Sequence, residues 1–312
     1  MSVEAEMVKK TVLITGATGF LGSHLARKFV NEGYEVVILK RSFSDMQRIA
    51  DITDKVVSYD IDKIDIAAPF KKHRITSVIH AATTYGKNQE EKSEIVDINL
   101  YFPLRLLEAS IRNRVDVFIN TDTFFDPGYK YLQAYSLSKS QFVEWLKIAD
   151  SKIKIFNMKL EHIYGEMDSP LKFIPAIVIQ LVERSKEIKM RKGDRKRDFI
   201  YVSDVIDAYA AVVAKRVKFK QGFHEYGVGT GRSVSIKDVV RLVKELTGNK
   251  KTFLNLEALP LEKSEMADSA ADTRSIRKEL GWRPKVSLPK GLQRVIAWHR
   301  NNLKIQMVPS DD

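Results

Sequence analysis

At 312 residues with no cysteine, the chain is long enough for two lobes and carries neither disulfide nor thiolate chemistry. Hydrophobic residues make up 44% and charged residues 29%, the balance of an ordinary soluble globular protein. The net charge of +12 suits an anionic partner or a solvated lysine-rich surface. Its basic clusters, Lys71–Arg74 and Arg191–Arg197, are short and not interleaved with aromatics, which favours a small phosphate-bearing ligand over nucleic acid.

Met1–Lys10 contains acidic residues and no apolar core, against a secretory signal. The longest apolar stretch, Phe173–Val182, includes Pro175 and Gln180 and falls far short of the ~20 residues that cross a bilayer. A cytoplasmic location without membrane contact is therefore expected.

Along the chain, Val12–Thr15 reads as a buried strand, followed by glycines at Gly16, Gly19 and Gly22. An amphipathic run from Leu21 to Val30 ends at Gly33 as a capped helix does. Strand, glycine turn and helix open a dinucleotide-binding βαβ unit, with the helix N-terminus offering N–H groups to a pyrophosphate. The spacing, G-x-x-G-x-x-G, is one residue wider than the common fingerprint. Further strands are expected at Tyr34–Leu39, Val56–Tyr59, Ser77–His80, Val115–Asn120 and Ile153–Met158. Helices are expected at Ile95–Asn113, with Pro103 as a possible kink, and at Tyr135–Ile148. This alternation predicts an α/β fold with a doubly wound parallel sheet of Rossmann type. Residues 1–160 would form the dinucleotide-binding domain, to which 198–230 returns. Residues 161–312 would form mainly a smaller C-terminal α/β lobe for substrate. In that lobe Pro170 and Pro175 bracket a loop, helices follow to about Lys186 and over Ser203–Lys215, and Ser235 caps a helix to Thr247. A last helix starts at Pro289.

Tyr135 and Lys139 lie four apart on one helix face. An ammonium beside a phenol favours the phenolate and makes the tyrosine a usable acid or base. Tyr59 and Lys63 repeat the spacing and read as structural. Tyr135 follows the hydroxyls of Thr121 and Thr123 at a strand end, where doubly wound sheets bind ligands.

Three ordered motifs carry a resemblance: Gly16-Ala17-Thr18-Gly19-Phe20-Leu21-Gly22, Tyr135-Ser136-Leu137-Ser138-Lys139 and Arg197-Asp198-Phe199-Ile200-Tyr201-Val202-Ser203-Asp204. With Val228–Gly231 and Leu280–Pro284, they make nearly the whole chain resemble the extended short-chain dehydrogenase/reductases acting on nucleotide sugars. The stretch Phe118–Phe124 with Tyr135–Trp145 is most similar to reductases making CDP-abequose-type dideoxy sugars. The resemblance implies Thr121 as catalytic hydroxyl, Tyr135 as proton-transferring residue and Lys139 as its partner, with Thr123 able to share the hydroxyl role. It puts the cofactor on Gly16, Thr18, Gly19, Phe20, Leu21, Gly22, Asp60, Ile61, Ala81, Ala82, Thr83, Tyr135 and Lys139. It puts substrate on Thr123, His162 and Arg197, and implies no metal.

NAD-preferring members carry an acid near the end of the second strand. Here that region reads Lys40-Arg41-Ser42, two cations and a hydroxyl suited to a 2′-phosphate, so NADP(H) is expected over NAD(H). Family dehydratases have an Asp-Glu pair after the catalytic threonine. Asp122 is followed by Thr123, which disfavours dehydration. The expected activity is NADP(H)-dependent reduction of a 4-keto nucleotide-activated deoxy sugar, CDP-linked by preference. The alternatives are an NAD-dependent nucleotide-sugar 4-epimerase and a non-catalytic dinucleotide-binding sensor or scaffold. The family habit implies a homodimer through the Ile95–Asn113 and Tyr135–Ile148 helices.

Overall fold

Val12, Leu13 and Ile14 are wholly buried, and burying each such side chain is worth ~1.5–3 kcal/mol. They form strand β1 (Thr11–Thr15), from which the fold is built in a computed structural model describing residues 10–87, 89–125, 132–191, 195–260 and 266–306. Helix α1 (Phe20–Asn31) buries Leu21, Leu25, Ala26 and Phe29 on one stripe and closes at Gly33, whose φ of 78° few other residues tolerate. Strands β2 (Glu35–Lys40) and β3 (Val56–Asp60) follow, then the short helix α2 (Ala68–Lys72) and β4 (Ile75–His80).

The run read as one helix from Ile95 to Asn113 has three parts. Helix α3 (Lys92–Val96) passes into a π-helical turn, Asp97–Tyr101, and continues as α4 (Phe102–Arg112). Pro103 has no N–H to offer, and the helix absorbs this without ending: the Phe102 N–H reaches back five residues to the Asp97 carbonyl.

Strand β5 (Val117–Thr123) takes in Thr121, Asp122 and Thr123, the three residues that follow the expected strand Val115–Asn120. Two β-branched threonines sustain the strand. Helix α5 (Gln133–Ile148) and strand β6 (Lys154–Leu160) complete this part.

In the second half, β7 (His162–Tyr164) precedes helix α6 (Phe173–Val182). Pro175 therefore sits inside a helix, not at a loop boundary; it occupies the first turn, where a missing N–H breaks no hydrogen bond. Strands β8 (Glu187–Arg191), β9 (Lys196–Arg197) and β10 (Phe199–Tyr201) lead into helix α7 (Val202–Lys215) and strand β11 (Gly222–Val228). Strand β12 (Val234–Ser235), helix α8 (Ile236–Thr247), strand β13 (Phe253–Leu259) and helices α9 (Arg274–Leu280) and α10 (Leu288–Gln306) close the chain. Ser235 stands at the N-cap position of α8, but its hydroxyl makes no capping bond. Part of the basic cluster Arg191–Arg197 lies outside the described residues.

Seven strands form one sheet in the order β11-β6-β5-β4-β1-β2-β3, and β2–β3, β1–β2, β1–β4 and β4–β5 pair in parallel. The order reverses between β1 and β4, the switch point at which open α/β sheets bind ligands. This is the doubly wound sheet expected. Leu13, Val78 and Phe118 of the sheet share a core with Leu106, Leu107, Phe142 and Leu146 of α4 and α5.

The chain divides into two compact units. The first runs to Thr123 and adds Leu132–Met158 and Tyr209–Glu225; the second takes Phe124–Tyr131, Lys159–Ala208 and the chain from Tyr226. In the second unit β7 pairs with β10, β13 with β8 and β12 with β9, each as a two-stranded ribbon.

Candidate active site

The glycine turn is shaped by atoms that are missing. Gly16 has φ +70°, and a Cβ there would lie 2.7 Å from the Ala82 nitrogen. One on Gly22 would lie 2.1 Å from the Gly16 carbonyl oxygen, so only glycine lets α1 approach β1 this closely. Gly19 donates its N–H to Gly16 O at 2.9 Å and stands at the N-cap of α1. No side chain caps this helix and no acid sits in its first turn, leaving the positive dipole end open to an anion. Thr18 and Phe20 are half-buried at the turn and Leu21 is buried in the helix stripe. These residues fit a dinucleotide pyrophosphate.

Thr15 braces the turn. Its Oγ1 lies 2.8 Å from His80 Nδ1 and accepts the N–H groups of Ala81 and Ala82, each at 3.2 Å. With both N–H groups aimed at it, the hydroxyl gives its own proton to His80 Nδ1. Burial keeps this histidine well below its ordinary pKa, and the nearby Lys139 charge acts the same way, so the ring is neutral.

At the ends of β2 and β3 the expected cations are partly engaged. Lys40 is ion-paired with Asp60 across the register pair that joins the two strands. Ser42 gives its N–H and O–H to the two oxygens of Asp62, at 2.8 and 2.5 Å. Arg41 lies over the Phe43 ring, 4.6 Å from its centroid. Ile61 donates its N–H to the Lys40 carbonyl at 2.8 Å, fixing the end of β3 against β2.

Helix α5 brings Tyr135 and Lys139 to the end of β5, the tyrosine 5% and the lysine 2% exposed. The helix begins after Leu132, held at φ +61°, a conformation that costs an L-residue roughly 1–2 kcal/mol. The two threonines of β5 divide. Thr123 hydrogen-bonds to Tyr135, whereas the Thr121 hydroxyl lies 2.8 Å from the phenol of Tyr209. The structure thus pairs Tyr135 with the hydroxyl two residues beyond the one first assigned to it.

Burial is also the main influence on Tyr135, raising its pKa well above the ordinary phenol; the Tyr85 ring, 4.7 Å away centroid to centroid, adds to the effect, and the Thr123 bond opposes it. Lys139 is pushed down to about 8 by burial, with Asp122 pulling the other way. The lysine does not by itself make a phenolate: in this state the phenol keeps its proton and can donate it.

Residues that local spacing did not disclose hold this centre. Asn157 gives its amide hydrogens to Asp122 and Glu225, both at 2.9 Å, and accepts from Asn120 at 2.7 Å. Asn99, buried in the π-helical turn, accepts from Thr83 Oγ1 and the Thr84 N–H, and donates to Thr84 O and Ser138 Oγ. It thereby ties the loop after β4 to the residue beside Lys139. An asparagine in a helical run four residues before a proline was the available signal. The spare pair, Tyr59 and Lys63, is structural: Tyr59 bonds His73 at 2.9 Å and Lys63 lies 3.8 Å from Asp60.

His162 and Arg197 belong to the second unit. His162 packs among Phe124, Phe125 and Phe199, with centroids 4.4, 6.4 and 5.6 Å away. Burial lowers its pKa, and its Nδ1 is 3.6 Å from Glu161, beyond hydrogen-bond range. Arg197 is 7% exposed and donates to the Lys196 carbonyl at 2.7 Å, so it is no solvated turn residue. Its neighbour Asp198 is wholly buried and accepts from Thr230 N and Oγ1, Gly231 N and Ala271 N. A Cβ on Gly229 would lie 2.5 Å from this carboxylate, which explains the Val228–Gly231 motif. Asp204 likewise receives the Val286 N–H and offers its carbonyl to Trp282.

The chain is similar in sequence and fold to several known proteins. A CDP-abequose synthase of Salmonella muenchen is 34% identical over 296 residues, covering 93% of this chain and 98% of its own. A UDP-glucose 4-epimerase of Neisseria gonorrhoeae is 27% identical over 335 residues, covering 94% and 98%. Among solved structures, MoeE5 in complex with UDP-glucose and NAD has a TM-score of 0.77 at 25% identity, over 94% of this chain and 99% of that one. The profile of one family, described as NAD dependent epimerase/dehydratase, matches residues 12–229. Because that span runs from β1 through β11 and takes in all seven strands of the sheet, the chain belongs to this family of extended short-chain dehydrogenase/reductases.

Proposed function

We propose that the chain reduces a 4-keto nucleotide-activated deoxy sugar, CDP-linked by preference, with Tyr135 as the proton donor. The observation that carries this reading is a buried phenol, kept protonated, with Thr123 bonded to it and Lys139 one helical turn away. Gly16, Gly19 and Gly22 with the open end of α1 would hold the pyrophosphate of a nicotinamide dinucleotide, and Lys139 its nicotinamide ribose. When bound, that group supplies hydride. Thr123 orients the ketone oxygen, Tyr135 delivers its phenolic proton to that oxygen, and the Lys139 cation offsets the negative charge left behind. With Thr123 as the orienting hydroxyl, Phe124 and Phe125 follow it, so the acid that water elimination requires is again missing. His162 and Arg197 serve the substrate side, the buried guanidinium toward a diphosphate. The exposed Tyr101, Leu137, Trp145 and Ile148 would form the contact of a homodimer.

The CDP-sugar preference draws on the 34% identity with CDP-abequose synthase. The second reading, a nucleotide-sugar 4-epimerase, draws on the UDP-glucose 4-epimerase relative and would use the same side chains. Incubation with reduced dinucleotide and a CDP-linked 4-keto-deoxy sugar tests the choice. Stoichiometric loss of reduced nicotinamide absorbance with formation of the 4-hydroxy sugar is expected. Interconversion of UDP-glucose and UDP-galactose without net consumption would establish the epimerase instead.

A further inference from the structure

The end of β2, read from sequence as a cradle for a 2′-phosphate, already contains a carboxylate. Ser42 supplies two of the donors that such a phosphate would use, its N–H and its hydroxyl, and both point at Asp62. These bonds hold the Asp62 carboxyl below the usual range, so it is ionised at neutral pH. Of the two cations, Lys40 is turned to Asp60, which also has Lys63 at 3.8 Å. Arg41 remains: it meets no carboxylate among the described residues and lies on the exposed Phe43 ring. Lys40 and Lys63 thus share Asp60, and Arg41 and Asp62 are left as opposed charges where the adenine ribose would lie.

We propose that Asp62, reaching over from the end of β3, is the residue that discriminates between the two nicotinamide dinucleotides in this chain. It does the work of the acid that NAD-preferring folds carry on β2 itself, accepting from a ribose diol and repelling a phosphate. Arg41 pulls in the opposite direction, so the parent chain accepts both nucleotides with similar affinity. The inference rests on the reading that this turn holds a nicotinamide dinucleotide.

Titration of the full chain with NADPH and NADH, followed by nicotinamide fluorescence, tests it. In Asp62→Asn and Asp62→Ala, NADPH should bind about tenfold tighter relative to NADH than it does in the parent. The gain should shrink in about 0.5 M NaCl, since it arises from removing a charge near solvent. Arg41→Ala should move the ratio the other way. Asp62 is exposed, so both variants should melt where the parent does. If the parent binds both nucleotides and neither Asp62 variant moves the ratio, or the gain ignores salt, the assignment to Asp62 is overturned while the dinucleotide reading stands. If the parent binds neither nucleotide, the underlying reading falls and this one with it.

Discussion

In the first unit Thr123 and Lys139 flank one phenol, while in the second the buried acids of the motif bind loops together. Tyr135 has Thr123, at the end of β5, as its hydrogen-bond partner and Lys139 one turn along the same helix. Asp198, just as buried, is saturated by Thr230, Gly231 and Ala271, and Asp204 by Val286. A recurring motif can thus have two physical causes. One is a reaction that needs a proton donor at a fixed place; the other is a set of backbone N–H groups that would be orphaned without an acceptor.

Substitutions in the two places should separate these causes. Tyr135→Phe should lower turnover by ~10²–10⁴-fold, the range for general acid catalysis, and leave the melting temperature unchanged. Should that variant reduce substrate at a near-normal rate, the phenol has no chemical role and the contrast is lost. Asp198→Ala strands the N–H groups of Thr230, Gly231 and Ala271, and should destabilise the fold by about 3 kcal/mol or more in denaturant titration. An unchanged midpoint would mean that water replaces the carboxylate without loss.

A finer cut divides the threonines of β5. Thr123→Val removes the partner of Tyr135 and should cost about 10²-fold in turnover, as for the loss of one donor at a developing oxyanion. Thr121→Val removes only the bond to Tyr209 and should stay within an order of magnitude of the parent. The reverse ranking in single-turnover kinetics would return the catalytic role to Thr121.

What was legible in the sequence follows the range of the cause. The β1–α1 turn could be read because each of its glycines answers a local demand, a positive φ at Gly16 and a 2.1 Å conflict at Gly22. The tyrosine–lysine pair could be read because four residues make one helical turn. The assignment of the hydroxyl to Thr121 came from the resemblance alone, and the strand that carries it runs three residues further than its apolar core suggests, which puts Thr123 on the same element. Asn157, Tyr209 and Tyr85 reach the site from distant parts of the chain; Tyr209 is 88 positions from Thr121. No spacing rule connects such residues. The same is true of Asp62, whose meaning appears only when the end of β3 is folded onto Ser42.

The smallest effect bears on how much Lys139 owes to its surroundings. Its ammonium, pushed down to about 8 mainly by burial, is charged below that pH and neutral above it. If the cation is needed to offset the charge left on Tyr135, kcat/KM for ketone reduction should fall as pH rises through about 8. Asp122, fixed by Asn157, pulls this pKa upward. Removing its charge in Asp122→Asn should therefore move the alkaline limb to lower pH, by less than one unit. Stability reports the same proton with the opposite trend. Between about 8 and the ordinary lysine value the folded chain has released the proton and the unfolded chain still holds it, so this group makes the fold more stable as pH rises. Lys139→Met should abolish that rise in denaturant titrations, whereas Asp122→Asn should make it begin at a lower pH. A limb and a stability curve that both ignore Asp122 would leave burial alone in control of the lysine.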